Sequence, residues 1–301
     1  MLNFVYLFSF WGFFAHQKIN EEAIYLLPNE IFILFKDHID KIKQGGIRPD
    51  QRRRLIKNEG VRHYIDVEMY GNQLLENAID YDEALLTFSE DSLLAHGLAP
   101  WNLVMYTHLL RKAFEEKDAY RIIKYAGEMG HYIADLHVPL HTTHNYNGQL
   151  TNQIGIHAFW ESTLPEHYAG YYSFLLDDVM YIDNTLDTTW AIMNESHSLV
   201  PIVLAEEKRI SKLLPNKGKT VVSRRGASLQ YQPTDQYIKL YHQAVGDMVE
   251  SRMEKSIYRL ACLWYSCWID AGQPDLSTLK YITPKQKKKE LKKDIKHREH
   301  L

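Results

Sequence analysis

The chain has 301 residues, 45% of them hydrophobic and 24% charged, with a formal net charge of −3. This is the balance of a soluble globular protein with a sizeable core, in one large domain or two small ones. It excludes a polybasic nucleic-acid binder, though not a nuclease, because bound metal ions supply positive charge locally.

Residues 1–10, uncharged and mostly apolar, read as a truncated signal segment for export to the periplasm or outside the cell. No basic residue precedes the run, and Phe8 and Phe10 are bulky where a cleavage site prefers small side chains. A run this short cannot span a bilayer as a helix. Residues 20–44 place Ile24, Leu27, Ile31, Leu34 and Phe35 near a period of 3.6, which predicts a helix ending at Gly45 and Gly46. Residues 73–90 and 101–117 are amphipathic, with Pro100 and Trp101 marking an N-terminal entry. The next helix, 118–138, starts near Asp118 as a cap and runs into Pro139, which ends or kinks it.

Residues 142–155 are polar and rich in Asn and Gly, hence a loop, and helix resumes near Ile156. The stretch 172–213 is expected to be helical again. Pro215, Gly218, Arg224, Arg225, Gly226 and Pro233 mark 215–233 as a surface excursion. A long helix over 235–271 stops at Gly272 and Pro274. Cys262 and Cys267 fall five apart in that helix, a poor disulfide geometry, and read as buried small hydrophobes. The expected architecture is all-α: one compact multi-helix domain over 11–280, followed by a Lys-rich, solvated or disordered tail at 281–301.

Metal-ligand side chains crowd into residues 131–161. His131 and Asp135 are four apart, as are His157 and Glu161, so each pair shares one helix face, about 40° apart in projection. His141 follows the Pro139 break. His141, His157 and Glu161 make a two-histidine, one-carboxylate set with an open position, the arrangement of hydrolytic zinc. Asp50 and His63 would complete a second site with His131 and Asp135, and the other oxygen of Asp135 could bridge to a third ion. His137 and His144 neighbour these ligands and read as loop or supporting residues. The other histidines, among them His38, His96, His108, His167, His197 and His242, read as ordinary structural residues.

The run His131-Tyr-Ile-Ala-Asp135-Leu-His-Val-Pro139-Leu-His141, followed by His157-Ala-Phe-Trp-Glu161, resembles the zinc-dependent phospholipase C and single-strand nuclease superfamily. The match extends to Trp11–His16, Asp50 and Arg62–Asp66. The resemblance implies one zinc on Asp50, His63, His131 and Asp135, and a second on His141, His157 and Glu161. It implies a third on Trp11, His16 and Asp135, with Trp11 as the mature N-terminus after cleavage behind Phe10. Glu rather than Asp at 161, and the lack of a four-cysteine set, point to the phospholipase C branch.

The expected activity is hydrolysis of a phosphodiester by two or three zinc ions, with Asp50 orienting or deprotonating the attacking water. A nuclease or 3′-nucleotidase using the same zinc cluster, and a zinc-binding protein without catalysis, stay open as alternatives. Substrate contacts are expected from Phe14, Tyr64 and Tyr146, with Tyr132 and Phe159 as further aromatic candidates. The expected partner is a phosphodiester substrate, a phospholipid headgroup or a nucleotide. A monomer is expected, without a stable nucleic-acid complex and with transient membrane contact at most.

Overall fold

A computed structural model of the chain describes residues 12–71, 77–214, 216–225 and 228–289. Trp11 and the segment before it, the start of the 73–90 stretch and most of the Lys-rich tail lie outside the described residues. The helices are α1 (Phe13–Ile24), α2 (Asn29–Asp37), α3 (Ile39–Gly45), α4 (Arg48–Arg52), α5 (Tyr81–Phe88), α6 (Glu90–His96), α7 (Ala99–Glu115) and α8 (Ala119–His137). The helical run 156–168, α9, consists of Ile156–Ala158, a π turn over Phe159–Thr163, and Leu164–Tyr168. Then come α10 (Thr185–Leu213) and α11 (Asp235–Asp270). A helical turn at Asn216–Lys219 leads into an antiparallel hairpin, β1 (Thr220–Arg225) and β2 (Ser228–Pro233), with Val222 opposite Tyr231. The surface excursion expected at 215–233 thus carries paired strands at 220–225 and 228–233. The architecture is otherwise all-α.

The single helix expected at 20–44 is three. Pro28 stands in extended conformation (φ −63°, ψ 155°) ahead of α2, and His38 interrupts the path again before α3. The amphipathic α8 buries the side that faces α7, α3, α1 and α11. Asp118 caps it by accepting the Arg121 N–H at 3.1 Å. At its other end Val138 is extended (φ −83°, ψ 118°), as the residue before a proline prefers. Arg252 on α11 is buried there and donates to the His137 carbonyl at 3.0 Å, to Ser196 Oγ at 2.6 Å and to Glu195 at 2.8 Å. A cation thus satisfies a carbonyl at the C-terminal end of α8, where the helix dipole favours positive charge. The core between these helices holds Phe35, Phe114, Trp160, Tyr241 and Trp264.

Residues 172–184 are not helical, contrary to the sequence expectation, and helix begins at Thr185. They run as a strap along α11, whose side chains take the place of helical hydrogen bonds. Ser173 N–H donates to Glu250 at 2.8 Å, Met180 N–H to Cys262 Sγ at 3.4 Å, and Ile182 N–H to Ser266 Oγ at 2.8 Å. Asn184 then caps α10 by accepting the Asp187 N–H at 3.1 Å.

Two glycines bring α3 and α8 into backbone contact, and a third makes room for a side chain of α1. A Cβ on Gly45 would lie 2.7 Å from Gly127 Cα, and one on Gly127 would lie 2.8 Å from the Ile42 carbonyl oxygen. Asn20 on α1 fills the junction and donates to the Ile42 carbonyl at 2.8 Å and the Gly127 carbonyl at 3.0 Å. A Cβ on Gly130 would collide with the Asn20 amide. This packing fixes His16, the chain leading to Asp50, and His131 against one another.

Candidate metal centre

Eight of the nine sequence-predicted ligands come together, and the ninth, Trp11, lies outside the described residues. His131 Nε2 lies 2.9 Å from His63 Nδ1, 3.2 Å from Asp135 Oδ2 and 3.8 Å from Asp50 Oδ1. His63 Nδ1 is 3.0 Å from Asp135 Oδ2 and 3.7 Å from Asp50 Oδ1. On the other side of Asp135, Oδ1 lies 3.5 Å from His16 Nε2 and 4.0 Å from His141 Nε2. The His16 ring stacks on His131, with centroids 4.2 Å apart. Glu161 lies 3.1 Å from His141 Nε2 and 3.2 Å from His157 Nε2 through its two oxygens.

The local sequence explains the aim of each ring. His131 and Asp135 are one turn apart on α8. The break at Pro139 starts a 3₁₀ turn, Pro139–Thr142, which swings His141 toward Glu161. Gly155, in the left-handed region (φ 98°), opens the turn carrying His157. Three rings give their Nδ1–H to backbone carbonyls: His131 to Gly46 at 2.8 Å, His141 to His63 at 2.6 Å and His157 to Tyr146 at 3.1 Å. In the neutral imidazole that leaves Nε2 as a lone-pair donor pointing inward, the support expected of metal-binding histidines.

The donor chemistry fits metal ions. Three groupings, His16–His131–Asp135, Asp50–His63–His131 and His141–His157–Glu161, each offer ligand atoms within 4.8 Å of one another. Two ligands about 2.1 Å from a tetrahedral zinc would lie roughly 3.4 Å apart, which matches these separations. Neither oxygen of Asp50 has a hydrogen bond among the described residues, nor has Asp135 Oδ1. Buried carboxylate oxygens are costly unless paired or coordinating a cation.

The electrostatics reflect that crowding. Burial pushes the Asp50 carboxyl up to about 7, and pulls His63 down to about 4 against its bond to Asp135. Burial and the neighbouring His131 hold His16 well below the ordinary imidazole range. Burial would also lower His141, but Asp135 and Glu161 outweigh it and raise the ring to about 9. For Asp135 burial works upward, yet His131 and His141 keep the carboxyl well below the usual range.

A cleft of about 660 Å³ opens onto the centre, with Asp50, His63, His141 and His157 in its lining. Tyr64, Asp66, His144 and Tyr146 form part of its wall. Phe14 is 42% exposed on α1 and stands outside that lining. Two other aromatic candidates belong elsewhere. Tyr132 is fully buried, its hydroxyl donating to Glu59, and Phe159 packs on Tyr237 and Tyr241 in the core. His137 faces away from the ligands, with Nε2 3.2 Å from Arg259, because a two-residue step from Asp135 turns it to the far side of α8.

A buried ionic network beneath the centre escaped the sequence reading. Arg52 joins Glu59 at 3.1 Å, Glu128 at 2.9 Å, Tyr106 at 3.0 Å and Tyr132 at 2.9 Å. Glu59 also lies 3.9 Å from His63 Nε2, on the ring edge turned away from the ligands. The only trace in the sequence is the Arg52–Arg54 run, which looks like solvent-facing charge.

No family model and no curated protein matches the chain. Among solved structures it is similar to the alpha toxin from Clostridium absonum, at 13% identity and a TM-score of 0.48 over 91% of this chain and 65% of that one. It is similar at the same identity and TM-score to the Clostridium perfringens alpha-toxin from avian strain SWCP, over 90% of this chain and 66% of that one. The chain thus spans just under two thirds of the length of each.

Proposed function

We propose that the chain is a zinc-dependent phosphodiesterase of the phospholipase C type. The observation that carries this reading is the sharing of Asp135 between His63 and His131 on one oxygen and His16 and His141 on the other. A carboxylate used from both sides, next to a separate His141–His157–Glu161 set, suits a cluster of ions rather than one structural metal. Zinc bound there supplies positive charge to phosphoryl oxygens and acidity to water. His63, His131, His141, His157, Asp135 and Glu161 hold the charge in place, and their burial excludes bulk water. Asp50 borders the cleft, and among the described residues neither of its carboxylate oxygens has a hydrogen bond, which supports a role in orienting the attacking water and taking its proton.

Exposed apolar side chains close in sequence to cleft-lining residues support a lipid substrate. Leu55 is 84% exposed and Ile56 also stands out, directly after the cleft-lining Arg53 and Arg54. Leu150 and Ile154 are exposed on the loop that carries Tyr146. Apolar side chains between cations suit the edge of a phospholipid surface. A second reading, a single-strand nuclease, draws on Tyr64 and Tyr146, whose rings could stack bases in the cleft. Assays of the purified, zinc-loaded protein on phosphatidylcholine and on single-stranded DNA, side by side, decide between the two. Release of diacylglycerol is expected. Cleavage of DNA alone moves the assignment to the nuclease, and tightly bound zinc without turnover of either reduces the chain to a zinc-binding protein. No described helix is long and apolar enough to cross a membrane. Export, and Trp11 as a ligand, are tested by mass spectrometry of the mature N-terminus.

A further inference from the structure

Residues 63–66 and 141–144 run side by side, tied by the His141 ring to the His63 carbonyl at 2.6 Å and by the Ile65 N–H to the His141 carbonyl at 2.8 Å. The first residue of each stretch, His63 and His141, faces the metal centre. The last of each, Asp66 and His144, meet three residues further along. His144 Nδ1 lies 3.1 Å from Asp66 Oδ2, and both residues line the same cleft as His63 and His141. Asp66 is buried and has the His96 ring 3.5 Å away on the same oxygen. Its backbone is pinned as well, the Asp66 N–H donating to the His96 carbonyl at 2.7 Å. On the other stretch Glu68 accepts the His144 N–H at 3.1 Å and the Thr143 hydroxyl.

A carboxylate that accepts Nδ1–H fixes the imidazole's orientation and presents Nε2 to whatever stands before it. Among the described residues His144 Nε2 takes no hydrogen bond, and the side chain is 51% exposed. His144 is held from one side and offered to the cleft on the other. We propose that His144, oriented by Asp66, is the proton donor to the departing oxygen when this cleft cleaves a phosphodiester. The inference rests on the phosphodiesterase reading above.

The step balances without a further reactant. The attacking water forms the new P–O bond and gives its proton to Asp50. The P–O bond to the leaving group breaks, its electron pair stays on the leaving oxygen, and that oxygen takes the Nε2 proton of His144 in its imidazolium form, Nδ1 keeping its proton toward Asp66. The neutral imidazole then recovers a proton from solvent through its exposed edge. Besides the ligands, the charged and titratable groups around it are Asp66, Glu68 and His96, with Tyr64, Tyr146, Arg53 and Arg54 in the same cleft.

The test compares two leaving groups on the zinc-loaded full chain. Dihexanoyl-phosphatidylcholine expels an alkoxide that needs a proton, whereas p-nitrophenylphosphorylcholine expels a phenolate that does not. For His144→Gln, kcat on the alkyl ester is expected to fall about 10²- to 10³-fold, at least ten times more than on the aryl ester. The fall of kcat at high pH, caused by loss of the donor's proton, should vanish in this variant, and Asp66→Asn should shift it. Zinc content and melting temperature are measured alongside. Equal losses on both esters, or a high-pH limb that survives His144→Gln, overturn the proposal and leave the phosphodiesterase reading standing. A wild-type protein that hydrolyses neither ester overturns the phospholipase C reading and this proposal with it.

Discussion

The carbonyl of His63 accepts the Nδ1–H of His141 at 2.6 Å, while the His63 ring itself lies 3.0 Å from Asp135. One residue therefore offers its ring to one ligand group and its backbone to the orientation of another. The two contributions separate on mutation. In His63→Ala the carbonyl remains, so His141, His157 and Glu161 should keep their ion, and zinc per chain should drop by about one. Activity should fall at least about 100-fold. Elemental analysis after dialysis gives the count, and loss of all zinc would contradict independent groups.

Gly127 should tolerate no side chain. A Cβ there would sit 2.8 Å from the Ile42 carbonyl and 2.9 Å from Gly45 Cα, both backbone atoms that cannot swing aside. Gly127→Ala is expected to cost about 1–3 kcal/mol by overpacking. Because the same junction sets His16 against His131, zinc affinity should weaken too. Urea denaturation with and without chelator reads both effects, and an unchanged midpoint would show that the helices part freely.

Arg52 stands between two buried carboxylates, Glu59 and Glu128. Arg52→Met leaves both without their cation, and destabilisation of about 3–5 kcal/mol is expected. Adding Glu128→Gln should recover part of it, because one buried charge disappears with the change. Thermal denaturation of the single and double variants provides the comparison, and equal melting temperatures for Arg52→Met and wild type would refute this role.

Zinc binding should release protons near neutral pH. In the zinc-free protein His141 holds its proton up to about 9 and Asp50 up to about 7, yet a ligand must be deprotonated. Apparent affinity should therefore rise with pH. The unfolded chain releases the His141 proton near pH 6.5. The stability from that raised value is fully present below about pH 6.5 and is lost as pH rises through 9. His63 acts oppositely, its depressed value costing stability as pH falls from about 6.5 toward 4. Calorimetry in buffers of different ionisation enthalpy measures the release, and a buffer-independent heat would refute it.

The clustering of the candidate ligands was legible because their spacing obeys rules that need no tertiary knowledge. His131 and Asp135 share a face by helical period, and Pro139 forces the turn that redirects His141. The strap at 172–184 was not, because its Tyr, Phe, Leu and Val residues suit a buried helix as well as an extended run. What decides it is the row of acceptors on α11, Glu250, Cys262 and Ser266, far along the chain. Asn184 and Asp187 did carry a local cap signal that places the start of α10. The Arg52 network was hidden for a similar reason. An arginine beside two others resembles surface charge until folding brings Glu128 beneath it.

That strap also divides the molecule by task. Each candidate ligand located among the described residues precedes it, from His16 to Glu161, and none of the groupings of candidate donors among those residues falls on α10 or α11 behind it. Its residues Leu175 and Met180, and Tyr171 just before it, stand open to solvent, within reach of a protease. Severed at this place, the two polypeptides would be unequal partners, one carrying the chemistry and the other the mould that shapes it. Reassembly from separately made halves would then be reported by the return of the metal.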